Sequence, residues 1–165
     1  MIKVIRYLPE YQFVLAGVKN LPDELYMKII GKEPVKLLKD KTYEILTVSE
    51  AALVASGTAT LEAALFNTPQ VVCYKGDFFS MLIALMVIKV KYISLVNLIM
   101  DLEVVKELKG YSLKSNNILA ELKAVLQGGT AREKILENYM LLKEKLGPSG
   151  ALGRIARDMV ENIHR

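Results

Sequence analysis

Apolar and polar positions change their period repeatedly along this chain, and each change marks a structural element. Met1 to Tyr7 reads as the end of a helix, and Tyr11 to Val18 as a strand that closes at Lys19-Asn20. Pro22-Asp23 then opens a helix, because proline is pre-set for a helical start and an acid suits the first turn. Val35 to Leu38 predicts a short strand and Thr42 to Glu50 a helix, and Ala51 to Ala55 is an apolar run of the kind a parallel sheet buries. The helix Thr58 to Phe66 ends at Asn67, and the Thr68-Pro69 step delivers the chain to a strand over Gln70 to Tyr74. Tyr92 to Leu95 reads as the last strand. Helices are expected near Ser115 to Gln127, Thr130 to Leu146 and Gly150 to Ile163, punctuated by Gly128-Gly129 and Gly147-Pro148. Strands alternating with helices predict an α/β fold with a parallel, doubly wound sheet, flanked by helices and with ligand sites at the strands' carboxyl edge.

The step from strand to helix at Val54-Ala55-Ser56-Gly57-Thr58-Ala59-Thr60-Leu61-Glu62 carries the most chemistry. It places a helix N-terminus at a strand's end, where free amides and the positive end of the helix dipole favour an anion such as a diphosphate; Gly57 allows close approach. Glu62 lies about one turn after Thr58, where its carboxylate could accept hydrogen bonds from ribose hydroxyls. On spacing alone, an ordinary tight turn with a surface glutamate is an equal reading.

Composition narrows the class. At 165 residues, 52% hydrophobic and 24% charged, the chain is long enough for one core and short for two domains, so residues 1 to 165 are expected to form a single domain. The sole cysteine, Cys73, sits in an apolar strand; it excludes an intramolecular disulfide and reads as a small core residue. His164, the sole histidine, stands next to the C-terminus, and no metal-ligand spacing is present, so neither metal nor cofactor is expected. No secretory signal is visible at Met1 to Leu8, and a cytoplasmic protein is expected. The net charge of +4 is spread along the chain and forms no nucleic-acid tract; it suits a nucleotide diphosphate or an anionic membrane surface.

A second chemical feature is the apolar run Phe78 to Ile88, bordered by Lys89 and Lys91. At ~1.5 Å per residue it extends ~16 Å, well short of a ~30 Å hydrocarbon core, so as a helix it cannot span a bilayer. A core helix is one reading. The other is an interfacial face, with Phe78, Phe79, Met81, Leu82 and Met86 turned toward a membrane and Lys89 and Lys91 as its cationic border. Asn97 follows the expected strand Tyr92 to Leu95, at the edge where ligands gather, and an N-cap is its structural alternative. Glu103 and Glu107, four apart, could share a helical face as solvated surface.

The segments Ser56 to Glu62, Pro69 to Lys75, Lys91 to Ile99 and Glu103 to Leu108 together resemble the C-terminal half of lipid-A-disaccharide synthase, a membrane-associated glycosyltransferase of bacterial outer-membrane biosynthesis. The resemblance covers nearly the whole chain and is densest over residues 54 to 108. It implies the Rossmann-like C-terminal half of a GT-B fold. It also implies transfer of 2,3-diacylglucosamine from its UDP conjugate to 2,3-diacylglucosamine 1-phosphate, with release of UDP and no cofactor. Ser56, Gly57, Thr58, Thr60, Glu62, Asn97 and Glu107 are then the UDP-sugar-binding residues. The implied location is the inner face of the bacterial inner membrane, as a peripheral protein.

Departures from the family's pattern qualify this picture. Leu102 stands where the family usually carries an arginine, and Lys109-Gly110 where an apolar residue and then glutamine are common. The family's N-terminal domain, which binds the lipid acceptor and supplies an essential acid, has no counterpart here, nor has the glycine, serine and arginine loop that opens the second domain. The resemblance therefore implies a chain without the first strand of its own sheet, without a catalytic residue of its own and without turnover in isolation. An incomplete sheet edge also leaves room for a homo-oligomer. Two other readings stand beside this one: a non-catalytic remnant that binds UDP-sugars or associates with membrane, and a peptidoglycan-type UDP-GlcNAc transferase, against which the segment Tyr92 to Leu98 weighs.

Overall fold

The computed structural model describes residues 1–55, 57–75 and 91–147. The expected helix over 150 to 163, His164, Ser56 and the run Phe78 to Lys89 lie outside the described residues. An N-terminal 3-10 helix, Ile2–Tyr7, leads to strand β1 (Phe13–Gly17), helix α1 (Asp23–Ile30) and β2 (Val35–Lys39). Then come α2 (Thr42–Val48), β3 (Ala52–Val54), α3 (Thr58–Leu65) and β4 (Gln70–Tyr74). The remaining described elements are α4 (Leu95–Met100), β5 (Lys106–Lys109), a 3-10 turn at Gly110–Ser112, α5 (Ser115–Val125) and α6 (Arg132–Leu146).

All described strand pairs are parallel, each joined through a helical crossover. They form two sheets. In one, β1 pairs with β2 in the register Phe13↔Val35 to Gly17↔Lys39. In the other, β4 lies between β3 and β5, with Val54 opposite Val72 and Cys73 opposite Leu108. The chain runs first through β1 and β2 in one sheet and then through β3, β4 and β5 in the other, and no ladder joins the two sheets among the described residues. Open parallel sheets bind ligands outside the carboxyl ends of their strands.

Burial follows the apolar pattern. Gln70 to Cys73 of the central strand are buried on both faces, as a middle parallel strand must be. The α5 residues Ile118, Leu122 and Val125 and the α6 residues Ile135, Tyr139 and Leu142 each repeat at helical spacing and close over β4 and β5, together with Val4 and Leu8 from the N-terminus. Phe13 of β1 and Leu53 of β3 pack against this same core, which therefore joins the two sheets. Cys73 is buried within it, as expected, and burial pushes its thiol pKa up. By contrast α1 buries only Ile30 and exposes Leu25, Met27 and Ile29.

Two expectations fail at the far edge of the sheet. Tyr92 to Leu95 is not a strand, because Ser94 caps a helix with its hydroxyl accepting the Asn97 amide at 3.3 Å, and α4 starts at Leu95. The last strand is instead Lys106–Lys109. Glu103 and Glu107 consequently share no helical face: Glu103 pairs with Lys106 in the loop, and Glu107 points from β5 into the interior.

One buried polar group joins the layers. The Gln70 amide donates from Nε2 to the Thr60 carbonyl at 2.8 Å and to the Tyr139 hydroxyl at 3.0 Å. Tyr139→Phe keeps the ring and removes one acceptor, so it is expected to lower unfolding free energy by about 1 kcal/mol. Urea unfolding of parent and variant checks this, and a variant at or above the parent's midpoint contradicts it.

Candidate functional site

At the carboxyl end of β3, Gly57 turns the chain into α3 with φ 125° and ψ −161°, a region that L side chains rarely adopt. A Cβ there would meet no atom of the described residues within 4 Å, so among them conformation, not crowding, requires the glycine. Gly57 is also the N-cap of α3 and brings no capping side chain, and the first turn carries no acid. Helix geometry leaves the opening amides without intrahelical acceptors. With Gly57, Thr58 and Ala59 exposed among the described residues, the positive end of α3 can take an anion.

One turn on, Glu62 lines an open cleft of about 270 Å³ with Asp40, Thr42, Tyr43 and Glu44. The cleft unites the chain following β2 with the helix following β3, so it draws residues from beside both sheets. Lys19 holds Asp40 at 3.2 Å and Lys41 holds Glu44 at 2.7 Å, whereas no cation among the described residues pairs with Glu62. Glu62 is thus the carboxylate left to accept from a ligand. Tyr43 stacks on Phe66 with ring centroids 5.2 Å apart and is still 56% exposed, which leaves an aromatic surface beside the cleft. Sequence reading missed Thr42 and Tyr43. The signal was available, since they follow β2 at the same edge at which Gly57 and Thr58 follow β3.

The other expected site residues stand behind this surface. Thr60 is buried, and its hydroxyl donates to the Gly57 carbonyl at 2.8 Å while accepting the Leu95 amide at 3.2 Å. Asn97 is buried as well and uses its whole amide internally. Its Oδ1 accepts from the Val104 and Val105 amides, both at 2.9 Å, and its Nδ2 donates to the Val105 carbonyl at 2.8 Å and to Glu107 at 3.0 Å. Glu107 accepts from the amides of Ile93 at 3.0 Å and Ser94 at 2.8 Å, and from the Lys109 ammonium at 2.8 Å. Lys109 therefore supplies the cation for Glu107.

The structure thus brings Gly57, Thr58 and Glu62 to the open side of α3, and Thr60, Asn97 and Glu107 to its inner side, where their hydrogen bonds go to the chain itself. Lys91, expected at a membrane border, is exposed with its ammonium 5.0 Å from the centroid of the Tyr92 ring. Leu102 is exposed too. Ser56 and the membrane-facing candidates Phe78, Phe79, Met81, Leu82, Met86 and Lys89 fall outside the described residues. Among the described residues, no group of three His, Cys, Asp or Glu side chains is placed to share a metal ion.

Burial by itself would raise the Glu107 pKa, but the Lys109 ammonium and the Ser94 and Ile93 amides outweigh it and hold the carboxyl below its ordinary 4.5. A folded-state pKa below the unfolded one gives stability that is complete above the unfolded value and is lost as pH falls through the folded one. Glu107→Gln leaves Lys109 without its partner and two amides facing a weaker acceptor, and is expected to lower stability near neutral pH by about 3 kcal/mol. Its deficit should shrink as the parent is titrated below about pH 4.5. Urea midpoints measured from neutral to acid pH check both, and a constant deficit across that range would remove ionised Glu107 as the cause.

The chain is similar to a known family over most of its length. Residues 7–153 match the family model described as lipid-A-disaccharide synthetase. A lipid-A-disaccharide synthase of Syntrophus aciditrophicus is 40% identical over 164 residues, covering 94% of this chain and 43% of the relative. Those of Solibacter usitatus and Psychromonas ingrahamii are 36% and 37% identical, over 79% and 84% of this chain and 35% and 37% of their own lengths. The chain thus spans about two fifths of the length of the curated relatives it matches. On the match over residues 7–153 and these identities, the chain belongs to the lipid-A-disaccharide synthetase family.

Proposed function

We propose that this chain supplies the nucleotide-sugar-binding half of a glycosyltransferase of lipid A disaccharide synthesis. The reaction is transfer of 2,3-diacylglucosamine from its UDP conjugate to 2,3-diacylglucosamine 1-phosphate. The observation that carries this reading is the uncapped, exposed start of α3 at Gly57 beside the Glu62 carboxylate, which pairs with no cation among the described residues and lines the cleft with Tyr43. The two lie about one helical turn apart, the separation that lets a diphosphate meet the amides while ribose hydroxyls donate to Glu62. Tyr43 offers its exposed surface to the base.

In the transfer, the acceptor hydroxyl forms a bond to the anomeric carbon, the bond from that carbon to the diphosphate oxygen breaks, and UDP leaves with the electron pair. Charge developing on the leaving diphosphate is stabilised by the α3 amides and dipole, which are already oriented before the reaction. The hydroxyl proton passes to a base that we assign to another part of the enzyme. Among the described residues β1 pairs only with β2 and β3 only with β4, so each keeps an edge that a further strand, from elsewhere in the protein or from a second copy, would pair. Acylated substrates place the reaction at a membrane surface, with Phe78 to Ile88, Lys89 and Lys91 as the candidate contact.

Isothermal titration with UDP tests the reading. The parent chain is expected to bind, and Glu62→Ala to bind about ten- to a hundredfold more weakly with an unchanged melting curve, the loss of a charge-assisted hydrogen bond being about 1.5–3 kcal/mol. A glycosyl-transfer assay should be silent with this chain alone and active once the acceptor half of a relative is added. Absence of UDP binding by the folded parent overturns the donor site, and binding that never supports transfer favours a UDP-sugar-binding remnant.

A further inference from the structure

Gly57, in the turn read as facing the diphosphate, has no side chain to pack and an unusual φ of 125°. Its carbonyl is held by Thr60 alone among the described residues, through the Thr60 amide at 3.2 Å and the Thr60 hydroxyl at 2.8 Å. A threonine that bonds back to a carbonyl three residues earlier is common in helices. Thr60 does more, because the same oxygen accepts the Leu95 amide from a segment 35 residues away. The two preceding amides, Ile93 and Ser94, are taken by Glu107. Three successive amides of residues 93–95 are thus fixed from inside, and none is left for a ligand.

We propose that Thr60 is a positioning residue of the donor site: one buried hydroxyl ties the Gly57 turn to the anchored 93–95 segment and so aims the opening amides of α3. The inference rests on the reading of that turn as a diphosphate site. Thr60 touches no ligand itself. It is in turn held by Gln70, whose Nε2 donates to the Thr60 carbonyl at 2.8 Å, so the hydroxyl has little freedom to follow a drifting glycine.

Two measurements test this on the chain as it stands. Thr60→Val is isosteric and removes the hydroxyl, whereas Thr60→Ser keeps it. UDP binding by titration calorimetry is expected to weaken about tenfold in the valine variant, as for the loss of one well-placed hydrogen bond, and to stay within about twofold in the serine variant. A cooperatively folded Thr60→Val protein that binds UDP like the parent overturns the proposal. The second measurement, hydrogen exchange in the parent with and without UDP, decides the matter if the valine variant does not fold. Slower exchange at Ile93 to Leu95 on binding supports the link, and unchanged exchange there in UDP-saturated protein overturns it. Failure here leaves UDP binding by the parent intact, whereas failure of the donor site itself removes binding from every protein tested.

Discussion

The Glu107 carboxylate is the constraint around which the ligand side of this fold is arranged. An ionised carboxyl in the interior is tolerated only when other groups replace the water it has lost. Here those groups are two consecutive backbone amides, the Asn97 amide and the Lys109 ammonium. Meeting that demand fixes where residues 93–95 run, where α4 begins and how β5 lies, because each contributes a partner. Neighbouring Leu108 points the other way, into the core, so one strand anchors the polar side and seals the apolar side at once. Asn97 extends the arrangement by holding the Val104 and Val105 amides, which brings the chain back from α4 into β5.

The same demand explains what the sequence hid. Tyr92 to Leu95 has the β-branched and aromatic character of a strand. Its amides nevertheless go to a carboxylate more than ten residues downstream, and Ser94 caps a helix. Lys106 to Lys109 lacks the apolar run that announces a buried strand, since three of its four residues are charged, and only its place beside β4 makes it one. The strands β1 to β4, the helices α1 to α3 and the two long C-terminal helices were legible to within a few residues, because their signals are local: apolar runs, a proline, a glycine break, a helical repeat. The division of the strands into two sheets was not legible from periodicity, which says nothing about lateral pairing.

In the candidate site the divide between local and distant signals recurs. Gly57, Thr58 and Glu62 could be read together because strand, turn and helix succeed one another in a single stretch of chain. Tyr43 could not be joined to them by spacing, since a whole β-strand separates it from Glu62 and only the cleft unites them. Asn97 and Glu107 were expected at the UDP-sugar site through the family resemblance alone. Their partners in the structure, however, are groups of this chain itself, and nothing in the residue types tells an asparagine that meets a ligand from one that holds a loop.

Helical geometry accounts for the division of labour within the motif itself. Successive residues of a helix are rotated by about 100°, so Thr58 and Glu62 lie within about 40° of each other, and Thr60 falls about 200° from Thr58. A turn that offers its first residue and an acid one turn later to a ligand must therefore send the residue between them inward, toward α4 and β4. An apolar residue there would pack, but it would leave the Leu95 amide without the acceptor it now has and the glycine without a restraint. A buried hydroxyl satisfies both at once. The polar residue in the middle of Thr58-Ala59-Thr60-Leu61-Glu62 is thus explained by the Gly57 carbonyl and the Leu95 amide that lie behind the turn.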